Sequence, residues 1–229
     1  MYDGHYTRHL GNDGGVVLEW KGKVTVIAAV TSAIDDHADV MAKLGERFLY
    51  YRFPVMEASE QEAVAGIAID NCECEQAEQV QLADLVEDFF RGLPIPPSMP
   101  ATTDAERNIL KALSTFAARA RSGVARTGYL REIETVHNPE SPARLVQQLT
   151  RLMAGLKVIG VNPPYRYRLV RKVAMDCVPP TRARVLESLA NAGKPLPMAT
   201  IARSPELSPT MKRRALQELL TLPEGTEPL

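Results

Sequence analysis

Hydrophobic and polar positions change their spacing several times along this chain, and each change predicts an element. Tyr2 to Leu10 and Val16 to Trp20 flank Gly11-Asn12-Asp13-Gly14-Gly15, a strong turn signal that predicts a β-hairpin. Val24-Thr25-Val26-Ile27-Ala28-Ala29-Val30 follows, a β-branched apolar run of buried-strand length. Beyond Thr31-Ser32, Asp35 and Asp36 suit a helix N-terminus, where carboxylates meet unpaired N–H groups and the positive end of the dipole. That helix is expected to reach about Leu44, with Ala38, Met41 and Leu44 inward and Gly45 ending it. Phe48 to Phe53 predicts a second strand, closed by Pro54. Hairpin, strand, helix and strand together read as a piece of an α/β sheet.

From Ser59 the period becomes helical. Ala63, Val64, Ile67 and Ala68 form one stripe, and Leu82, Leu85, Val86 and Phe89 form another. Pro94-Ile95-Pro96-Pro97 is a rigid break. Thr103-Asp104-Ala105-Glu106 has the form of a capping box, opening a helix that would bury Ile109, Leu110, Leu113, Phe116, Ala117 and Ala120. Tyr129 to Val136 reads as a short strand or a loop. Ser141 as N-cap and Pro142 at the first helical position start a helix with Leu145, Leu149, Leu152 and Leu156 inward. Asn162-Pro163-Pro164 reads as a domain boundary. Past it come a helix over Arg184 to Ala192, a Gly193-Lys194-Pro195 turn, a short helix from Met198 to Ala202, and a third helix capped by Ser208-Pro209. The third places Met211, Ala215, Leu216 and Leu219 inward and Lys212, Arg213 and Arg214 largely outward. Three short helices so spaced suggest a helix-turn-helix. The tail from Pro223 to Leu229 is too short for a two-stranded wing.

Composition narrows the class without changing this outline. The chain has 229 residues, 45% hydrophobic and 24% charged, with a net charge of −1. These values exclude disordered, collagen-like and wholly basic histone-like chains. Neutrality hides two blocks. Phe53 to Phe90 holds ten acidic residues and no Lys or Arg, whereas Tyr165 to Arg184 holds six basic residues and one acidic, Asp176. A polyanion partner would therefore meet the C-terminal end, and the acidic block reads as the solvated face of a helix. No apolar stretch is long enough to span a membrane, and the first residues lack the basic flank and apolar run of a signal peptide. Cys72, Cys74 and Cys177 read as reduced thiols of a cytoplasmic protein. Cys72-Glu73-Cys74 has no second ligand pair at zinc spacing, so no metal site is expected. His37 beside Asp36 reads as a surface residue.

The order of parts in residues 1–57 resembles the second half of an AAA+ ATPase core. In that family a buried strand ends in a polar sensor 1 residue, and a helix, an arginine finger and the last strand follow. Val24 to Val30 with Thr31 resembles the sensor 1 strand, and Leu44-Gly45-Glu46-Arg47-Phe48 resembles the finger segment. A hydroxyl at a strand end can position water near a γ-phosphate, and an arginine fork can stabilise the charge developing there. Ser141-Pro142-Ala143-Arg144-Leu145 resembles the sensor 2 segment of the branch containing minichromosome-maintenance helicases and MoxR-type ATPases, which makes Arg144 the nucleotide-contacting residue. The hairpin resembles that branch's pre-sensor hairpin, with His5, Arg8, His9, Lys21 and Lys23 as DNA contacts.

The resemblance implies a mainly α fold with a small α/β portion: part of an AAA+ core over 1–57, a helical lid over 58–161, and a winged helix-turn-helix over 165–229 with its wing truncated. The chain contains no G-x-x-x-x-G-K-[ST] and no acidic Walker B strand end, the elements that cradle phosphates and hold Mg²⁺. The expectation is thus the C-terminal part of a longer ATPase. ATP, Mg²⁺ and a homo-oligomeric ring would belong to the complete protein, and this polypeptide alone would not hydrolyse ATP. Thr31, Arg47 and Arg144 are its candidate catalytic residues. Ser208, Thr210, Lys212, Arg213 and Arg214 are its candidate DNA contacts, on a third helix that would enter the major groove. The alternative is a non-enzymatic winged-helix DNA-binding regulator whose first 160 residues or so form an interaction domain.

Overall fold

The computed structural model describes residues 4–10, 16–22, 24–37, 47–128, 132–201 and 208–222. The fold is mainly helical with two small antiparallel sheets. It divides into two compact units, Met1–Asp36 and His37–Leu229.

In the first unit, β1 (His5–Leu10) pairs antiparallel with β2 (Val16–Lys21), from His5 opposite Lys21 to Leu10 opposite Val16. The Gly22 N–H donates to the Gly4 carbonyl at 2.9 Å and closes the open end of the hairpin. Gly4 sits at φ +72°, and a Cβ there would meet the Gly22 oxygen at 3.0 Å, so a side chain is unfavourable on both counts. The hairpin matches the sequence pattern, although its turn residues 11–15 lie outside the described residues.

Val24 to Val30 does not form the expected buried strand. The run belongs to no sheet and is exposed throughout, Ile27 at 96%. A strand apolar on both faces needs hydrogen-bonded neighbours and cover on both sides. The hairpin sheet has two strands, and neither offers a ladder to this run. A 3₁₀ turn over Ser32–His37 then replaces the start of the expected α-helix, the rest of which falls outside the described residues.

The second unit is helical. Arg47 to Phe53 is not a strand. Its backbone is engaged by helix side chains instead, and Leu49 and Tyr50 lie against the core. Next come α1 (Ala58–Asp70) and α2 (Glu75–Gly92), joined by a turn over residues 71–74. Both helices follow the predicted stripes, yet neither buries a single residue.

The core begins at α3 (Asp104–Ala120). Thr103 caps it as expected: the Glu106 N–H donates to Thr103 Oγ1 at 3.3 Å, and the Thr103 N–H donates to Glu106 Oε2 at 2.9 Å. Glu106 is itself buried, and Lys157 Nζ donates to its Oε2 at 2.7 Å. Burial pushes the Glu106 carboxyl up, but Lys157 and the Thr103 cap outweigh that and hold it below the usual carboxylate range. A small hairpin follows, β3 (Val124–Arg126) against β4 (Ile133–Val136), with an irregular register between Ala125 and Arg126.

α4 (Ala143–Val158) and α5 (Pro163–Asp176) complete the core. Leu110, Ala117 and Ala120 of α3 meet Leu145, Leu149, Met153 and Leu156 of α4 and Val170, Val173 and Ala174 of α5. Pro142 itself occupies the cap position of α4, so that helix starts one residue later than expected. Ile109 and Phe116, expected inside, lie exposed at the edge of the α3 stripe.

Asn162-Pro163-Pro164 is not a linker in this fold. The Asn162 side chain accepts from the Tyr165 N–H at 3.2 Å and caps α5, with proline at the helix start. The core continues across it, since Ala183 and Leu186 of α6 (Pro180–Ala192) pack on the same cluster. The two compact units meet in sequence at residues 36 and 37, whereas the expected boundaries lie at 57 and 161. After α6 come α7 (Met198–Ile201) and α8 (Pro209–Thr221).

Candidate functional site

The C-terminal helices form a small unit with its own core. Gly193 ends α6 at φ +59°, the left-handed cap that favours glycine. Ser208 starts α8, its hydroxyl accepting from the Met211 N–H at 3.3 Å. Val185, Ile201 and Ala215 are buried together, with Leu189, Leu196, Leu216 and Leu219 around them. α6 packs directly against α8, and the short α7 packs on α6.

One carboxylate anchors this unit to the hairpin and to α3. Glu218 accepts from Arg182 Nε at 2.9 Å and from Arg126 Nε at 3.0 Å. Arg182 also donates to the carbonyls of Ala120 at 3.0 Å and Ser122 at 2.7 Å. Arg126 donates to the Arg214 carbonyl at 3.2 Å. The Arg182 side chain is 5% exposed, Arg126 16% and Glu218 19%, so these are largely desolvated, charge-assisted bonds. They hold α8 in a fixed rotation, and that rotation decides which of its residues face water.

The five expected DNA contacts separate on this frame. Thr210 and Arg213 are exposed. Ser208 is exposed, but its hydroxyl is committed to the helix cap. Arg214 is half-buried, with its carbonyl held by Arg126. Lys212 is 1% exposed and cannot be a surface contact in this fold, which corrects the expectation of an outward basic triplet. Met211, expected inside, is exposed at 45%. The rotation was present in the spacing: Lys212, Ala215, Leu216 and Leu219 stand at i, i+3, i+4 and i+7. A lysine can occupy such a stripe because its stem is a four-carbon chain.

The three expected catalytic residues lie in different settings. Thr31 belongs to the first unit and is exposed; its carbonyl accepts from the Ile34 N–H at 3.2 Å, and no strand ends there. Arg47 and Arg144 belong to the second unit; Arg144 stands in the first turn of α4, and the Arg47 carbonyl is held by the same helix. Gln148 Nε2 of α4 donates to the Arg47 carbonyl at 2.6 Å, one turn beyond Arg144. The Arg144 guanidinium pairs with Glu140 at 3.1 Å, and Glu140 also accepts from the buried Arg121 at 2.9 Å. Arg121 Nη1 is buried with no hydrogen-bond partner among the described residues.

Residues 51 and 52 are fastened by α5. The Arg52 N–H donates to Asp176 Oδ2 at 2.7 Å and its Nε to the Asp176 carbonyl at 2.9 Å. Lys172 Nζ donates to the Arg52 carbonyl at 2.7 Å while pairing with Asp176 and lying 4.6 Å from the Tyr51 ring centroid. Among the described residues, no group of His, Cys, Asp or Glu could hold a metal ion. Cys72 and Cys74 are exposed in the turn between α1 and α2, and Cys177 is buried. Among those residues, too, no helix is long and apolar enough to cross a membrane.

Sequence reasoning missed Arg126, Arg182 and Glu218. Nothing in a single sequence pairs residues 92 and 36 positions apart, as these are. Glu140 carried a signal, four positions before Arg144. No family model matches the chain, and neither the curated proteins nor the solved structures contain a match to it.

Proposed function

We propose that this chain binds DNA without being an enzyme, through the helix-turn-helix formed by α6, α7 and α8. The observation that supports this is the fixed rotation of α8. Lys212, Ala215, Leu216 and Leu219 turn inward, and Thr210, Arg213 and Gln217 share the solvent face. These are a hydroxyl, a guanidinium and an amide at i, i+3 and i+7, the groups that read base edges or hold phosphates from one helix face. Arg213 is the residue on which binding depends most.

Fluorescence anisotropy with a labelled duplex of about 20 base pairs tests this. Binding is expected to weaken with salt, and Arg213→Ala is expected to reduce the slope of log K against log salt by about 0.9, one phosphate contact. If Arg213→Ala, with its fold intact by circular dichroism, binds like wild type at every salt concentration, α8 is not the DNA-facing element.

A second reading has its own support. Arg144 lies in the first turn of α4, the Arg47 carbonyl is held by the same helix, and Arg121 beside Glu140 has a buried Nη1 with no partner among the described residues. In this reading the chain is part of an AAA+ ATPase, ATP and Mg²⁺ are bound by the complete protein, and Arg47 and Arg144 face the nucleotide in an oligomeric ring. The ion pair between Arg144 and Glu140 stands against it, since a phosphate would have to displace that carboxylate. Equilibrium dialysis with labelled ATP gives this reading a positive test: retention by the wild type and loss in Arg144→Ala would favour the ATPase.

A further inference from the structure

The least explained feature of the molecule is the helix α2. Leu82, Leu85, Val86 and Phe89 stand at i, i+3, i+4 and i+7, yet they are 63%, 66%, 47% and 52% exposed. That spacing is how an amphipathic helix anchors itself to a protein surface. The stripe continues toward the N-terminus at the same spacing, but there it carries Glu78 and Glu75, both exposed. One face of α2 is thus acidic for its first two turns and apolar for the rest. The surroundings are acidic as well, with ten carboxylates and no Lys or Arg between Phe53 and Phe90.

We propose that this face of α2 docks a helix of another protein, one with an apolar stripe opposite Leu82 to Phe89 and lysine or arginine opposite Glu75 and Glu78. Charge chooses the occupant. A second copy docked in parallel would place Glu75 and Glu78 against their own counterparts, because a two-fold contact brings the same patch to itself. A second copy docked antiparallel would set those carboxylates against Leu85 and Phe89 and desolvate them without a partner. A basic partner helix satisfies both halves of the face, and complementary charge fixes its direction and register. This docking face is separate from α8, so it gives the chain a protein contact besides its proposed DNA contact.

The test uses the full-length chain and two labelled amphipathic peptides, each made in both chain directions. Both carry leucine opposite the apolar half of the stripe. One carries lysine opposite Glu75 and Glu78, and the other carries glutamate there. By anisotropy, the lysine peptide is expected to bind at least tenfold more tightly than the glutamate peptide, and more weakly as salt rises. Leu85→Asp is expected to cost at least tenfold in affinity while circular dichroism stays unchanged, because Leu85 is exposed. The double variant Glu75→Lys, Glu78→Lys is expected to reverse the preference between peptides. Equal binding of both peptides, or binding of neither, overturns the proposal. So does a wild-type dimer in sedimentation that Leu85→Asp converts to monomer, because the occupant would then be a second copy.

Discussion

Replacing Glu218 with alanine tests the anchoring of the C-terminal helices most severely. The substitution removes the shared acceptor of Arg182 and Arg126 and leaves two guanidiniums largely out of water. Breaking a buried ion pair from one side costs about 3–5 kcal/mol. Arg182 keeps two carbonyl acceptors and Arg126 keeps one, and Glu218 is 19% exposed, so the lower part of that range applies. A loss of about 3 kcal/mol lowers the melting temperature by roughly 6–12 °C in a unit of this size. Urea denaturation at constant m-value measures the free energy, and calorimetry measures the temperature shift. A surface pair would lose its contribution in 1 M salt, whereas this one is expected to keep most of it. Arg126→Met, Arg182→Met and the doubles with Glu218→Ala close two thermodynamic cycles, with about 1–3 kcal/mol of coupling expected in each. A Glu218→Ala protein within 1 kcal/mol of wild type, or one whose deficit vanishes in salt, would refute the anchoring role.

Other expectations follow from the core and its caps. Glu106 has its pKa lowered in the fold, so its contribution is fully present above the ordinary carboxylate range and is lost as pH falls through the folded value. The stability gap between wild type and Glu106→Gln is therefore expected at pH 7 and should narrow in urea titrations as pH falls below the ordinary carboxylate range. Thr103→Ala removes the cap of α3 and is expected to cost about 1 kcal/mol by the same method. Leu149→Ala, at a position with no exposure, is expected to cost about 2–5 kcal/mol. Leu82→Ala on the exposed face of α2 is expected to stay within about 0.5 kcal/mol, which distinguishes a docking face from a core face.

What could be read from the sequence depended on how local each signal was. The capping box at Thr103 and the serine cap before Pro209 each involve residues within one turn of each other, and helices start at both. Asn162-Pro163-Pro164 reads as a boundary, whereas Asn162 caps α5, and no local signal tells whether the core continues past it. Outside the hairpin, the two strands expected in the first third of the chain went wrong because a strand is a relation between segments. Val24 to Val30 has the composition of a buried strand, but composition supplies no neighbour. Phe48 to Phe53 does meet a partner, but that partner is a row of helix side chains ending in Asp176 and Lys172.

Lys212 and Leu85 extend this argument to function. Residue type alone sends a lysine to the surface and a leucine to the core, and here both are reversed. In each case the helical spacing was the better guide to the face, and tertiary packing decided whether that face was covered. For α8 it was covered, which leaves Thr210, Arg213 and Gln217 on its solvent face and makes the proposed DNA contact narrower than a basic triplet would be. For α2 it was left open, which turns an acidic solvated helix into a face with a definite complement. A variant that moved α8 by one residue's rotation would expose Lys212 and bury Arg213. Deleting one residue between Gly193 and Ser208 should leave α8 unturned, because Glu218 still selects its rotation through Arg182 and Arg126. The same deletion combined with Glu218→Ala should free that rotation. Amide exchange across α8 would show it as protection lost in the combined variant and kept in the single deletion.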